Sequence, residues 1–359
     1  MMRKLSYMLF FVTHEFYWKE LSFVQLRVYQ QTGNLYIRLG TNKFIKGRYW
    51  ITSDIKGYDN LFEELKTKSF VEKKNFKCQE VIVNAKSVYY DKNHFEMQPI
   101  GNLDINSDEV LIKMKVCGLC GTDIHKAVDK TVEPPITLGH EIAGEVIAAG
   151  DDVMDFNVGD RVFVAHHVPC FTCTYCKRGY YSLCPQFKMT NVDPGGFSEY
   201  IRVPALHVKH TMGKLPDELS DEAGAMVEPL ACCLHGFEQI SINPSDQVLI
   251  LGAGQIGCLQ IQLANHFLAG QVIVSDVNPY RLEKAKEVGA THVIRADEEA
   301  VQEQVNRLTD GHGADIVIIS AGISFLLEQA MHCVARGGTV LVFAPFTKND
   351  IPIPAYRFF

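Results

Sequence analysis

Val248-Leu-Ile-Leu-Gly-Ala-Gly-Gln-Ile-Gly257 is an apolar run of four residues that enters a G-x-G-x-x-G turn directly. The next stretch, CLQIQLANHF, reads as a helix, and a second apolar strand, Val272 to Ser275, ends at the acid Asp276. Strand, glycine turn, helix, strand and acid, in that order, are the context a dinucleotide-binding unit requires. Gly252 permits the tight turn, Gly254 lets the backbone approach a pyrophosphate, and Gly257 lets helix and strand pack. Gln255 and Ile256 open the helix, whose free N–H groups meet the phosphates. Asp276 can accept hydrogen bonds from the adenosine ribose hydroxyls and repels a 2′-phosphate, which favours NAD over NADP. Arg281 nearby works against that discrimination.

Downstream, strands are expected at Thr291–Ile294, Ala314–Ser320 and Gly338–Phe343, with helical stretches over 279–288, 297–309 and 323–334. Five strands in βα alternation predict a mostly parallel, doubly wound sheet. The six-stranded form of this fold needs one more unit, and Phe359 lies only 16 residues past the fifth strand. Upstream, a helical stretch over 217–236 leads to a domain boundary near 235. Before it, residues 81–235 hold short alternating strands punctuated by Gly, Asp and Pro (81–90, 109–116, 144–150, 157–164 and 195–204), a β-rich, partly barrel-like pattern. Residues 1–80 read as an extra segment, with strands at 34–39 and 48–52 and a helix over 60–68, and carry no chemical motif.

Two groups in the β-rich part carry metal chemistry. Cys170, Cys173, Cys176 and Cys184 can close a tetrahedral zinc shell with no open position, which makes a structural site. Cys120, in VCGLCGTDIH, and His140, in GHE, offer a thiolate and an imidazole, both zinc donors. Thr122 and His125 place a hydroxyl and a second imidazole beside Cys120, a proton path that a structural clip does not need.

The net charge is −7, from 35 Lys+Arg against 42 Asp+Glu, so no nucleic-acid partner is indicated. Residues 1–80 are basic and the remainder acidic. The start, MMRKLSYMLFFV, lacks a small-residue cleavage site and is not expected to be a signal peptide. No run reaches the roughly 20 apolar residues of a spanning helix. Eleven cysteines, clustered as ligands are, point to a reducing, cytoplasmic compartment.

With these motifs in order, CGLCGTDIH, GHEIAGEV, GDRV, the four-cysteine lobe, EPLACCLH (228–235), GAGQIG and ARGGTVLVF, residues 80–359 resemble the zinc-containing medium-chain dehydrogenases, and look closest to their sorbitol (polyol) dehydrogenase-like branch. The resemblance implies a GroES-like catalytic domain (81–235), a Rossmann domain (236–359) and an active site in the cleft between them. It implies two zinc ions per chain and NAD. Cys120 and His140 would be catalytic zinc ligands, with Glu228 of the Glu-Pro-Leu stretch as the third, acidic position and Glu141 as its competitor. Thr122 and His125 would relay the alcohol proton, with the cofactor ribose as one route. A carboxylate at Glu228, where simple alcohol dehydrogenases have a thiolate, implies a secondary alcohol of a polyol or sugar derivative. Threonine or butanediol oxidation is the neighbouring alternative. The family is usually dimeric or tetrameric, and its members continue past the fifth Rossmann strand with a sixth that often forms the dimer edge. The expectation is therefore an active small-molecule dehydrogenase with an unusual compensation, or an inactive zinc-binding remnant.

Overall fold

The computed structural model describes residues 21–28, 35–41, 49–51, 85–91, 94–101 and 103–346. Strands β1 (Leu21–Val28), β2 (Leu35–Thr41) and β3 (Tyr49–Ile51) form an antiparallel sheet in the order β1-β2-β3. The helix expected over 60–68 lies outside the described residues.

The β-rich region follows. Strands β4 (Ala85–Asp91) and β5 (His94–Pro99) make a hairpin. Then come β6 (Val110–Gly118), helix α1 (Gly121–Asp129), β7 (Glu141–Ala149) and β8 (Arg161–Ala165). After them run the short helix α2 (Thr174–Lys177), β9 (Tyr200–Val203), helix α3 (Ala205–His210) and β10 (Met212–Lys214). The five strands pair antiparallel in the order β10-β8-β7-β6-β9. Alternate residues of β6 and β8 turn inward, so Val110, Ile112, Val162 and Val164 meet Ile142, Val146, Ile201 and Val203 in one apolar core. Helices α4 (Asp221–Ala225) and α5 (Val227–Phe237) come next. Contacts divide the chain into two compact units, residues 1–228 and 229–359.

The second unit is built on β11 (Gln247–Leu251), α6 (Gln255–His266), β12 (Gln271–Asp276), α7 (Pro279–Glu287) and β13 (His292–Arg295). It is completed by α8 (Val301–Leu308), β14 (Ala314–Ile319), α9 (Phe325–Cys333) and β15 (Val334–Val342). All pairings are parallel, in the order β13-β12-β11-β14-β15. The two-residue period of the strands sorts the core into two layers. Val248, Ile250, Val272, Val274, Ile316 and Ile318 face Ile261 and Ala264 of α6 and Leu282 and Ala285 of α7. Leu249, Leu251, Ile273, Val317 and Ile319 face Val301 and Val305 of α8 and Leu326 and Ala330 of α9. Burial on both faces is why these strands are continuous apolar runs. The architecture is thus an antiparallel β-rich domain followed in the chain by a doubly wound parallel sheet, with five parallel strands among the described residues. The last strand begins earlier than Gly338. It starts at Val334 and passes through Gly337 at φ +77°, where its register against β14 shifts.

Candidate active site

Strands β6 and β7 build the candidate metal-binding group. Their register pairs Gly118 with Glu141, so Glu141 opens β7 directly across from the last residue of β6. Side chains of such cross-strand partners lie side by side. Cys120 follows β6 by two residues and His140 precedes β7 by one. A thiolate, an imidazole and a carboxylate therefore converge, and ligand atoms of Cys120, His140 and Glu141 all lie within 4.8 Å of one another. His140 is 5% and Glu141 1% exposed. Gly118 makes the room: a Cβ there would fall 1.9 Å from Glu141 Oε2.

Asp123, for which the sequence alone suggests no role, holds this arrangement. Its carboxylate accepts from Cys120 N at 3.2 Å and Gly139 N at 3.1 Å, and Oδ1 stands 3.2 Å from His140 Nδ1. That last contact is an ion-pair distance, off the line of a proper hydrogen bond. The one sequence signal for it is the pattern Cys-x-x-Asp at a helix start. Cys120 caps α1, its sulfur accepting from Thr122 N at 3.4 Å, while Asp123 returns to the cap's own N–H. Burial alone lowers the His140 pKa, but the contacts to Asp123 and Cys120 outweigh it and lift it to about 10. Beside it, burial drives the His166 pKa down to about 2, with the neighbouring His167 and His140 acting in the same direction.

Thr122 and His125 both sit on α1 and are exposed. His125 Nδ1 lies 2.9 Å from Asp129 Oδ2, one turn further on. Glu228 stands in the first turn of α5 and is not one of the three converging donors. The four cysteines expected to bind the structural zinc also come together: Cys170, Cys173, Cys176 and Cys184 form the second donor group among the described residues. In it the sulfurs of Cys173 and Cys176 are 3.5 Å apart, and backbone N–H groups of Cys173 and Cys170 point at the sulfurs of Cys170 and Cys184.

In the second unit, Gly252 takes φ +112° at the end of β11, a conformation that favours glycine. Gly254 caps α6, which has no side-chain cap to occupy its first N–H groups, and a Cβ on Gly254 would meet nothing within 4 Å. That opening suits a phosphate. Gln255 and Ile256 form the first turn, and Gly257 packs so closely that a Cβ would lie 2.0 Å from Gly252 O. Asp276 ends β12. Its Oδ2 accepts from Ala253 N at 2.8 Å, its Oδ1 from Asn278 N at 2.8 Å, and Arg281 Nη1 stands 3.8 Å away.

Comparison with known proteins agrees with both halves. The alcohol dehydrogenase GroES-like domain matches residues 106–217 and the zinc-binding dehydrogenase domain matches residues 256–359. A sorbitol dehydrogenase of Bacillus subtilis is 36% identical over 274 residues, 74% of this chain and 76% of that protein. The structure of galactitol-1-phosphate dehydrogenase from Escherichia coli superposes with a TM-score of 0.68 at 30% identity, covering 76% of this chain and 79% of that one. A zinc-binding dehydrogenase from Sinorhizobium meliloti, solved with NADP bound, does so at 0.71 and 31%, covering 77% and 81%.

Proposed function

Since this chain belongs to the zinc-binding, medium-chain alcohol dehydrogenase family, we propose that it oxidises a secondary hydroxyl of a polyol or sugar alcohol and passes the hydride to NAD. The observation that carries this reading is the buried group of Cys120, His140 and Glu141. One sulfur, one nitrogen and one oxygen donor are a set that zinc accepts, and three protein ligands leave a fourth position for substrate. Gly118 supports the fit, because the space its missing side chain leaves is filled by the Glu141 carboxylate. When bound, zinc supplies Lewis acidity toward the substrate hydroxyl and the nicotinamide accepts the hydride.

The chain's own residues do the rest. Asp123 orients His140 and ties Cys120 to the start of α1. Thr122, beside Cys120, takes the proton of the substrate hydroxyl, and His125, steadied by Asp129, delivers it to solvent. Glu141 is read here as the third ligand in preference to Glu228, because Glu141 shares the pocket with Cys120 and His140. Cys170, Cys173, Cys176 and Cys184 hold a second, structural zinc. In the Rossmann unit the α6 N-terminus receives the pyrophosphate and Asp276 the adenosine ribose. Its carboxylate disfavours a 2′-phosphate, and Arg281, already drawn toward Asp276, does not cancel that. The polyol class is supported by Glu228, which leaves no second thiolate at the position where simple alcohol dehydrogenases have one, and by the sorbitol and galactitol-1-phosphate enzymes among the similar proteins.

The test is NADH formation by the zinc-loaded protein with a panel of polyols, polyol phosphates, L-threonine and butanediol. A polyol or its phosphate is expected to give the highest kcat/KM, with NAD preferred to NADP. Turnover of threonine alone, or a preference for NADP, would overturn the corresponding part of the reading.

A further inference from the structure

His140 is covered on its face as well as held at its edge. The His166 ring lies against it with centroids 4.6 Å apart at 38°. Behind His166 stands His167, 3.7 Å away at 37°, and behind His167 stands Phe187, 5.2 Å away at 53°. Four rings thus form a column that begins at a metal donor and ends in the lobe that carries the four cysteines. Both ends of this backing are fixed. His167 Nδ1 donates to Thr190 O at 2.6 Å, and Thr190 Oγ1 donates to Phe187 O at 2.9 Å while accepting from Val168 N at 2.9 Å. The backbone of His166 is fixed too, its carbonyl accepting from His207 Nε2 at 2.9 Å. Phe187 N donates to Cys184 O at 3.0 Å, which joins the far end to the cysteine lobe.

Neither His166 nor His167 belongs to a donor group, so they do not act here as ligands. What they restrict is rotation. An imidazole binds a metal through a lone pair in the ring plane, and productive ligand geometry tolerates only about 10–20° of error. The Asp123 contact to His140 Nδ1 is off-line, so it anchors one ring edge without defining the plane. A ring packed against the face supplies the missing constraint.

We propose that His166, backed by His167 and Phe187, is a positioning residue that sets the ring plane of His140 for metal binding. The proposal rests on the reading of Cys120, His140 and Glu141 as a metal site. The test uses the full chain loaded with cobalt(II) in place of zinc, and compares wild type with His166→Ala and His166→Phe. The readouts are the ligand-field bands of the one-thiolate site and the rate of cobalt release from it to a chelator. Loss of an outer partner of a metal ligand typically weakens binding about 10–100-fold. His166→Ala is expected to shift the bands and speed release about tenfold or more. His166→Phe, which keeps a flat ring and has no ligand nitrogen, is expected to stay near wild type. The intense thiolate-to-cobalt bands of the four-cysteine site serve as the folding control and should be unchanged in both. Wild-type behaviour of His166→Ala overturns the proposal, as does a His166→Phe variant as impaired as His166→Ala. A wild-type chain that takes up cobalt only at the four-cysteine site overturns the metal reading itself, and the positioning role with it.

Discussion

A methyl group at Gly118 would sit 1.9 Å from Glu141 Oε2 and 2.9 Å from Glu141 Cβ. The carboxylate end can swing away, but the β-carbon is fixed by the pairing of the two residues across β6 and β7, so the side chain must leave its place. Gly118→Ala is therefore expected to weaken zinc binding at Cys120 and His140 by about tenfold or more, at least the scale of losing an outer partner of a metal ligand. Chelator competition measures this, and zinc at the four cysteines should be retained. Unchanged affinity would show that Glu141 is not a ligand and would return the third position to Glu228. The choice between those two acids is not legible in the sequence. Both follow motifs of the right kind, and only the strand register brings one of them to Cys120. Asp123 is hidden for a related reason: it works through two backbone N–H groups, Cys120 and Gly139, that meet only once α1 packs beside the turn before β7.

The β11–α6 turn allows two glycines to be told apart. Gly257 has no slack, since its Cβ would lie 2.0 Å from the backbone oxygen of Gly252, whereas Gly254 faces open space. Gly257→Ala is expected to lower both thermal stability and dinucleotide affinity. Gly254→Ala should leave the melting temperature within error of wild type and lower NAD affinity alone, because the added methyl occupies the approach of the pyrophosphate. Calorimetric titration with NAD beside a thermal melt checks the pair, and equal loss of stability in both variants would contradict it. This element is legible in the sequence because its signals are local: an apolar strand, three glycines and an acid within one βα unit. Elements made by distant partners are not. Helix α1 has a polar sequence, GTDIHKAVD, and its one start signal, Cys120 with Asp123 three residues on, uses a cysteine sulfur where a cap ordinarily has a hydroxyl or carboxylate. Strand β10 has three residues and exists through its pairing with β8, some 50 positions earlier. The stack of His166 and His167 on His140 likewise depends on where β8 ends relative to β7.

Across the whole molecule, the two units draw stability from different sources. The Rossmann unit has two apolar layers on a five-stranded sheet, and every residue of those layers lies between Phe237 and Phe346. The region from Val168 to Thr190 has little of this. Its regular structure is limited to short helical turns, and Phe171, Tyr175, Tyr180, Tyr181, Leu183 and Met189 are all exposed. Four sulfurs crowded within 4.8 Å suit a cation, and on the proposed reading metal binding there would supply a large part of the local folding energy. Cys173→Ser is expected to leave the chain with one zinc instead of two by elemental analysis. Hydrogen exchange should rise across residues 168–190, while amides of β11, β12 and β14 keep their protection. Exchange should also rise around His166 and His167, since Phe187 and Thr190 hold that column from the lobe side. Retention of two zinc ions in Cys173→Ser would remove the four-cysteine site as a metal centre. Unchanged exchange at 168–190 after zinc loss would show that the lobe is stabilised by its own packing.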